Sequence, residues 1–295
     1  MSVLDPRARA AIHDLELVAR VTVEGALSGL HRSPFHGYSA EFSQYRHYRP
    51  GDDLKYVDWK LFARTDRVYT KQFRETTNAR VQLVVDASAS MGFGGRGEVT
   101  KLEYARLVAA GLAHLVATQG DAAGLMVHDA TTLRTYLAPR GGRTHLRAVL
   151  LALAALVPRG DTRPALAVRR AVDLLRTRGI LVLISDLYDE EEATEGELRR
   201  AARMGHDVVV FHVLSPDEIE RPAAAGLELE DMESGARVFV GGPALHEYQA
   251  RAEAFVERWR GRCARLGIDY VLARTDAPLT TTLRRYLLRR GRSPR

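Results

Sequence analysis

The sequence predicts an α/β fold, a mostly parallel sheet with helices on both faces, and three observations predict it. Short apolar runs that close on a carboxylate recur, VQLVVD at Val81–Asp86 and ILVLISD at Ile180–Asp186, as strands buried on both faces do. Segments apolar at helical spacing alternate with these runs from Val81 onward. Composition is that of a globular chain, 46% hydrophobic and 27% charged over 295 residues, enough for one large α/β domain with additions or two modest domains.

In order, strands are expected at VQLVVD, at AAGLMVHD, at TTLRTYLAP after a tight polar turn at Asp129-Ala130, at ILVLISD, at DVVVFHVL and at IDYVLA. Helices are expected near Leu102–Thr118, Thr144–Leu156, Pro164–Arg176, in ATEGELRRAARMG with Gly205 as its stop, at Ala244–Leu266, and in LTTTLRRYLLRR. GLELEDMESGARVFVG alternates apolar and polar residues around Glu233-Ser234-Gly235, a hairpin signal that places an insertion near 219–242. Ser215-Pro216-Asp217-Glu218 before it carries a capping-box pattern and opens a short helical turn.

The first 79 residues read as a separate segment that packs on the 80–295 body. A helix is expected near Arg7–Arg20, a strand at VYTKQF, and a short helix capped by Asp52 and running through Phe62. Trp59 is expected to anchor the segment on the sheet. The run Tyr45-Arg46-His47-Tyr48-Arg49 has the stacking residues of a nucleic-acid face, but Asp52, Asp53 and Asp58 beside it repel phosphates and suit ion pairs with the arginines.

Net charge is +6, yet the lysines are only Lys55, Lys60, Lys71 and Lys101 and the arginines are spread along the chain. That pattern suits solvated helix faces rather than a nucleic-acid footprint. The single cysteine, Cys263, permits no intrachain disulfide and reads as a small buried hydrophobe; with no secretory signal, a cytoplasmic setting is expected. The longest apolar run, Ala148–Val157, is too short to span a bilayer. The ten histidines form no H-x-x-x-H pair and no Cys-His cluster, which speaks against zinc.

Function in open parallel sheets concentrates outside the carboxyl ends of the strands. Asp86 and Asp186 stand at two such ends, and Gly160-Asp161-Thr162 opens a helix between them. With Ser88 and Ser90 at i+2 and i+4 from Asp86, two carboxylates and three hydroxyls make an all-oxygen set of the kind Mg²⁺ prefers, with Mn²⁺ or Ca²⁺ as alternatives. Gly92-Phe93-Gly94-Gly95-Arg96-Gly97 formally matches G-x-G-x-x-G, but it begins well past the strand end and lacks the acidic residue a dinucleotide site needs. A phosphohydrolase with Asp86 as nucleophile is the alternative. Such a site wants an acid where Ser88 stands, and no lysine lies near an expected strand end to steady a phosphate.

Asp86-Ala87-Ser88-Ala89-Ser90 resembles the D-x-S-x-S signature of von Willebrand factor A-type domains, with Thr162 and Asp186 in the places of the threonine and second aspartate. The resemblance implies a metal-ion-dependent adhesion site at these five residues in a Rossmann-like fold. Asp161 stands where glycine is common. GYSAEFSQYRHYRPGDDLKYVDWKLFAR is similar to the hallmark of the bacterial family called domain of unknown function 58, on Gly37, Ser39, Glu41, Phe42, Arg46, Tyr48, Pro50, Gly51, Asp52, Asp53, Asp58, Trp59, Ala63 and Arg64. That second resemblance implies the short form without membrane spans. It also implies a non-catalytic adaptor that works with a MoxR-type AAA+ ATPase, or with the client of one, in protein maturation.

Overall fold

A computed structural model describes residues 6–28, 40–50, 52–75, 79–95, 99–128, 133–161, 163–188, 191–220, 226–230, 237–241 and 243–292. The chain divides into two compact units, one of Phe35–Ala79 and one of Met1–Pro34 with Arg80–Arg295. The stretch read as one segment over 1–79 is thus divided. Its first helix, α1 (Pro6–Leu27), packs on helices of the larger unit.

The smaller unit holds β1 (Ala40–His47), α2 (Trp59–Thr65) and β2 (Tyr69–Glu75), with β1 and β2 antiparallel. Strand β1 lies in a stretch without an apolar run, where the sequence offers no strand signal. The helix cap differs from expectation. Asp58, not Asp52, caps α2, accepting from the amides of Lys60 and Leu61 at 3.0 Å each, while Asp53 caps a 3₁₀ turn at Leu54–Tyr56. Asp52 instead pairs with Arg46 at 2.8 Å and accepts the Arg49 amide, so Arg46 of the aromatic-basic run is ion-paired. Trp59 is not a buried anchor. It is 58% exposed and lies edge-on to Phe62, because the first turn of so short a helix gives its ring only the i+3 neighbour to cover it.

The larger unit is built on β3 (Arg80–Asp86), α3 (Lys101–Thr118), β4 (Ala122–His128), β5 (Leu133–Arg140), α4 (Arg143–Ala154), α5 (Pro164–Leu174), β6 (Ile180–Ser185), α6 (Glu191–Arg203), β7 (Asp207–Leu214), α7 (Pro216–Ile219), β8 (Gly226–Glu230), β9 (Arg237–Gly241), α8 (Pro243–Arg265), β10 (Asp269–Arg274) and α9 (Leu279–Arg292). Six strands form one sheet in the order β10-β7-β6-β3-β4-β5. Only β5, joined to β4 as a hairpin, is antiparallel. The expected α/β fold, a mostly parallel sheet with helices on both faces, is the fold observed. The expected insertion is the antiparallel pair β8–β9, with Leu229 opposite Val238.

Helices α1, α3, α4 and α9 pack together over one face of the sheet. On the other face Val168, Val172, Leu198, Trp259 and Cys263 form a core with the inward residues of β3, β6 and β7. Every residue of β6 is buried, which is why its sequence is a continuous apolar run rather than an alternating one. From β3 the strand order runs one way through β4 and β5 and the other way through β6, β7 and β10. The order therefore reverses between β3 and β6. A reversal of strand order is where open α/β sheets place their ligand sites, at the carboxyl ends of the strands.

Candidate metal-ion site at the sheet rim

Asp86 ends β3, and Asp186 follows the last residue of the neighbouring β6. Both are buried, so their oxygens need partners. Asp86 Oδ1 accepts the Ser88 amide at 2.9 Å, and Oδ2 accepts the Ser185 hydroxyl at 2.7 Å. Ser185 Oγ in turn accepts the Leu187 amide at 3.0 Å. Leu187 is buried at a φ of 59°, a left-handed conformation that costs a bulky residue about 1–2 kcal/mol. The turn after Asp186 is thus held in a strained shape by its surroundings, a pattern that clusters at functional sites.

The D-x-S-x-S loop is tied to the segment before α5. Arg159 N donates to Ala87 O at 3.0 Å and Ala89 N to Gly160 O at 2.7 Å. Gly160 sits at a φ of 73°, which glycine adopts without strain. Arg134 on β5 donates to the carbonyls of Ala87, Val157 and Arg159, clamping both loops from the sheet edge. Thr162, the expected threonine of the set, lies outside the described residues.

Ser88 and Ser90 point at one spot. Their Oγ atoms are 3.0 Å apart, and Ser90 Oγ donates to Asp186 Oδ2 at 2.8 Å. Since Ser90 gives its proton to the carboxylate, it accepts the proton of Ser88. Four of the five expected residues are therefore on one rim. Ser88, Ser90 and Asp186 form a continuous chain of contacts, and Asp86 supports it through the Ser88 amide.

One residue at this rim was not foreseen. Lys101, the first residue of α3, is 1% exposed, and its Nζ donates to Asp186 Oδ2 at 2.7 Å and to Glu218 Oε1 at 2.6 Å. The expectation that no lysine stands near the site is thus overturned. Its only mark in the sequence is a lysine at the start of the helix that follows the D-x-S-x-S loop. A lysine at a helix N-terminus opposes the macrodipole and carries no functional mark by itself. Burial alone would lower the ammonium's pKa, but Asp186 and Glu218 hold it above its ordinary value. Burial pushes the Glu218 carboxyl up against the pull of Lys101. Glu218 belongs to α7, where it also accepts the Ser215 amide at 2.7 Å, so the residue read as a helix cap serves the rim as well. Gly95 sits at a φ of 58°, which glycine adopts without strain, and a Cβ there would meet the side chains of Asp217 and Ser215.

Behind Asp186 lies a buried histidine on β7. Burial pushes the His212 ring down to about 4. The neutral ring donates from Nε2 to the Asp186 carbonyl, 2.9 Å away, leaving Nδ1 to accept the Tyr270 hydroxyl at 2.7 Å. Around Lys101, Tyr188 presents its ring face 5.0 Å from Nζ and stacks on Phe255. Among the described residues no group of three or more His, Cys, Asp or Glu side chains has metal-binding geometry, so any cation here would depend on hydroxyl oxygens.

The family model described as "Protein of unknown function DUF58" matches residues 44–257. The chain is similar to the uncharacterized protein Rv1480 of Mycobacterium tuberculosis, 33% identical over 98% of this chain and 91% of that one. It is also similar to the uncharacterized protein YeaD of Bacillus subtilis, 32% identical over 35% of this chain and 23% of that one. Among solved structures, it is similar to the conserved hypothetical protein BatB from Bacteroides thetaiotaomicron (TM-score 0.46, 15% identity, 73% of this chain and 100% of that one). It is likewise similar to the SpRpn10 VWA domain (TM-score 0.42, 14% identity, 74% of this chain and 96% of that one). Among the described residues no helix is long and apolar enough to cross a membrane.

Proposed function

The chain belongs to the DUF58 family of proteins of unknown function, and from that premise we propose that it is a non-catalytic, cytoplasmic protein-interaction adaptor with a divalent-cation site. Asp86, Ser88, Ser90, Thr162 and Asp186 would hold the ion, Mg²⁺ before Mn²⁺ or Ca²⁺. The bound ion would supply positive charge for a carboxylate of the partner to complete. The partner we propose is a MoxR-type AAA+ ATPase or its client, as the family resemblance implies.

The observation that carries this reading is the spacing of the hydroxyls and the carboxylate. Neighbouring ligands of an octahedral Mg²⁺ bound at about 2.1 Å lie about 3 Å apart. Ser88 Oγ to Ser90 Oγ is 3.0 Å, and Ser90 Oγ to Asp186 Oδ2 is 2.8 Å. Charge supports it too. Asp86, Asp186 and Glu218 bring three carboxyl groups to the rim and Lys101 one ammonium, and buried carboxylates in excess favour a cation.

The phosphohydrolase alternative gains a lysine from Lys101 but loses its nucleophile. Both Asp86 oxygens accept hydrogen bonds and the residue is 6% exposed, a poor position for attack on phosphorus. Two experiments separate the readings. Capture of the host's MoxR-type ATPase on immobilised protein is expected in Mg²⁺ and lost in EDTA or with Ser88→Ala; equal capture in EDTA overturns the metal-dependent adaptor. A phosphatase screen in Mg²⁺ is expected to stay silent, and turnover abolished by Asp86→Asn would establish the enzyme instead.

A further inference from the structure

Lys101 is a large polar side chain sealed inside the body, and the adaptor reading assigns it no task. It is 1% exposed, its ammonium shares Asp186 Oδ2 with the Ser90 hydroxyl, and its second carboxylate comes from α7. A charge so buried is retained only where it is paired, and the carboxylate it pairs with is one of the expected ion ligands. We infer that Lys101 is a resident, covalently tethered cation that holds the oxygen cluster assembled without metal and competes with a divalent ion for Asp186.

Two consequences follow from the geometry. The ammonium lies 2.7 Å from an oxygen that would face the ion, so like charges meet and affinity is held down. Glu218, at 2.6 Å from the same nitrogen, draws the ammonium away from Asp186, so α7 tunes that competition. The site is thereby made weak and reversible, suited to an ion that arrives together with a partner's carboxylate. This rests on the rim being a metal site, and the test keeps the two ideas apart.

The test is calorimetric titration of the whole protein with Mg²⁺ and with Mn²⁺, together with melting in EDTA and in Mg²⁺, for wild type, Lys101→Met and Glu218→Gln. Lys101→Met is expected to melt earlier than wild type in EDTA, to regain stability in Mg²⁺, and to bind Mg²⁺ on the order of tenfold more tightly or better. Glu218→Gln, which leaves the ammonium wholly to Asp186, is expected to bind more weakly than wild type. Should Lys101→Met be soluble only with Mg²⁺ present, that too supports the competition. If it folds in neither condition, Lys101→Gln, which keeps a hydrogen-bond donor without the charge, takes its place, and affinity equal to wild type there overturns the inference. Equal affinity of wild type and Lys101→Met also overturns it. Binding gained by Lys101→Met where wild type binds no metal would sink the metal-dependent adaptor and leave the role of Lys101 standing.

Discussion

The molecule contains two lysine–aspartate clusters of similar chemistry in opposite surroundings. In the smaller unit Asp58 accepts from the Tyr45 hydroxyl at 2.8 Å and pairs with Lys71 at 3.1 Å, with the lysine side chain 39% exposed. At the sheet rim Asp186 and Lys101 pair at 2.7 Å with exposures of 0% and 1%. Solvent reaches and screens the first, and burial keeps bulk solvent from the second. An exposed ion pair contributes about 0–1 kcal/mol, whereas removing one partner of a buried pair costs about 3–5 kcal/mol because the other charge is stranded. Burial rather than residue type decides which cluster matters.

The comparison is sharpened first at the buried end. Denaturant unfolding of Lys101→Met in EDTA is expected to show a loss of about 3–5 kcal/mol; a loss under about 1 kcal/mol would mean that Asp186 and Glu218 find water or protons at little cost. Next comes Ser185→Ala, which removes a donor to the buried Asp86 carboxylate and the acceptor of the buried Leu187 amide. Its expected cost is about 1–3 kcal/mol by the same measurement.

At the exposed end the effects are small and respond to solution conditions. Lys71→Met is expected to leave the melting temperature almost unchanged, and whatever difference exists should fade between low salt and about 1 M salt. Acid should act on the same cluster. The Tyr45 hydroxyl, then the Leu61 amide and Lys71, hold the Asp58 carboxyl below the usual carboxylate range. A carboxyl depressed in the folded state contributes stability that is present above its unfolded value, about 3.9, and lost as pH falls toward the folded one. Hydrogen exchange at α2 amides is therefore expected to quicken progressively as pH falls below about 4, after correction for the intrinsic rate; constant protection across that range would remove Asp58 as the cap that matters.

Much of the fold was readable because the signals are local. The continuous apolar run of β6 and the helical spacing of α3 are written in adjacent residues, and a carboxylate closing such a run marks a strand end without reference to the rest of the chain. Strand β1, AEFSQYRH, has no apolar run, and its extended form is seen only through its antiparallel pairing with β2. The cap of α2 was misplaced because Asp52, Asp53 and Asp58 are chemically alike and only the turn geometry selects among them. The positions of Asp86, Ser88, Ser90 and Asp186 at the sheet edge were legible in the sequence, but the groups that support them were not. Ser185, Arg134 and Lys101 carry no motif of their own, and the capping box that contains Glu218 does not signal its contact with Lys101.

What the sequence determined by itself was the alternation of strands and helices, and with it two aspartates and two serines at strand ends on one edge. Tertiary structure alone decided what those aspartates meet. Lys101 and Glu218 are 117 residues apart, and they converge because β3, β6 and β7 run parallel and deliver α3 and α7 to the same carboxyl edge of the sheet. Pairing across that distance depends on burial and register. Both are properties of the assembled sheet, and no local pattern encodes them.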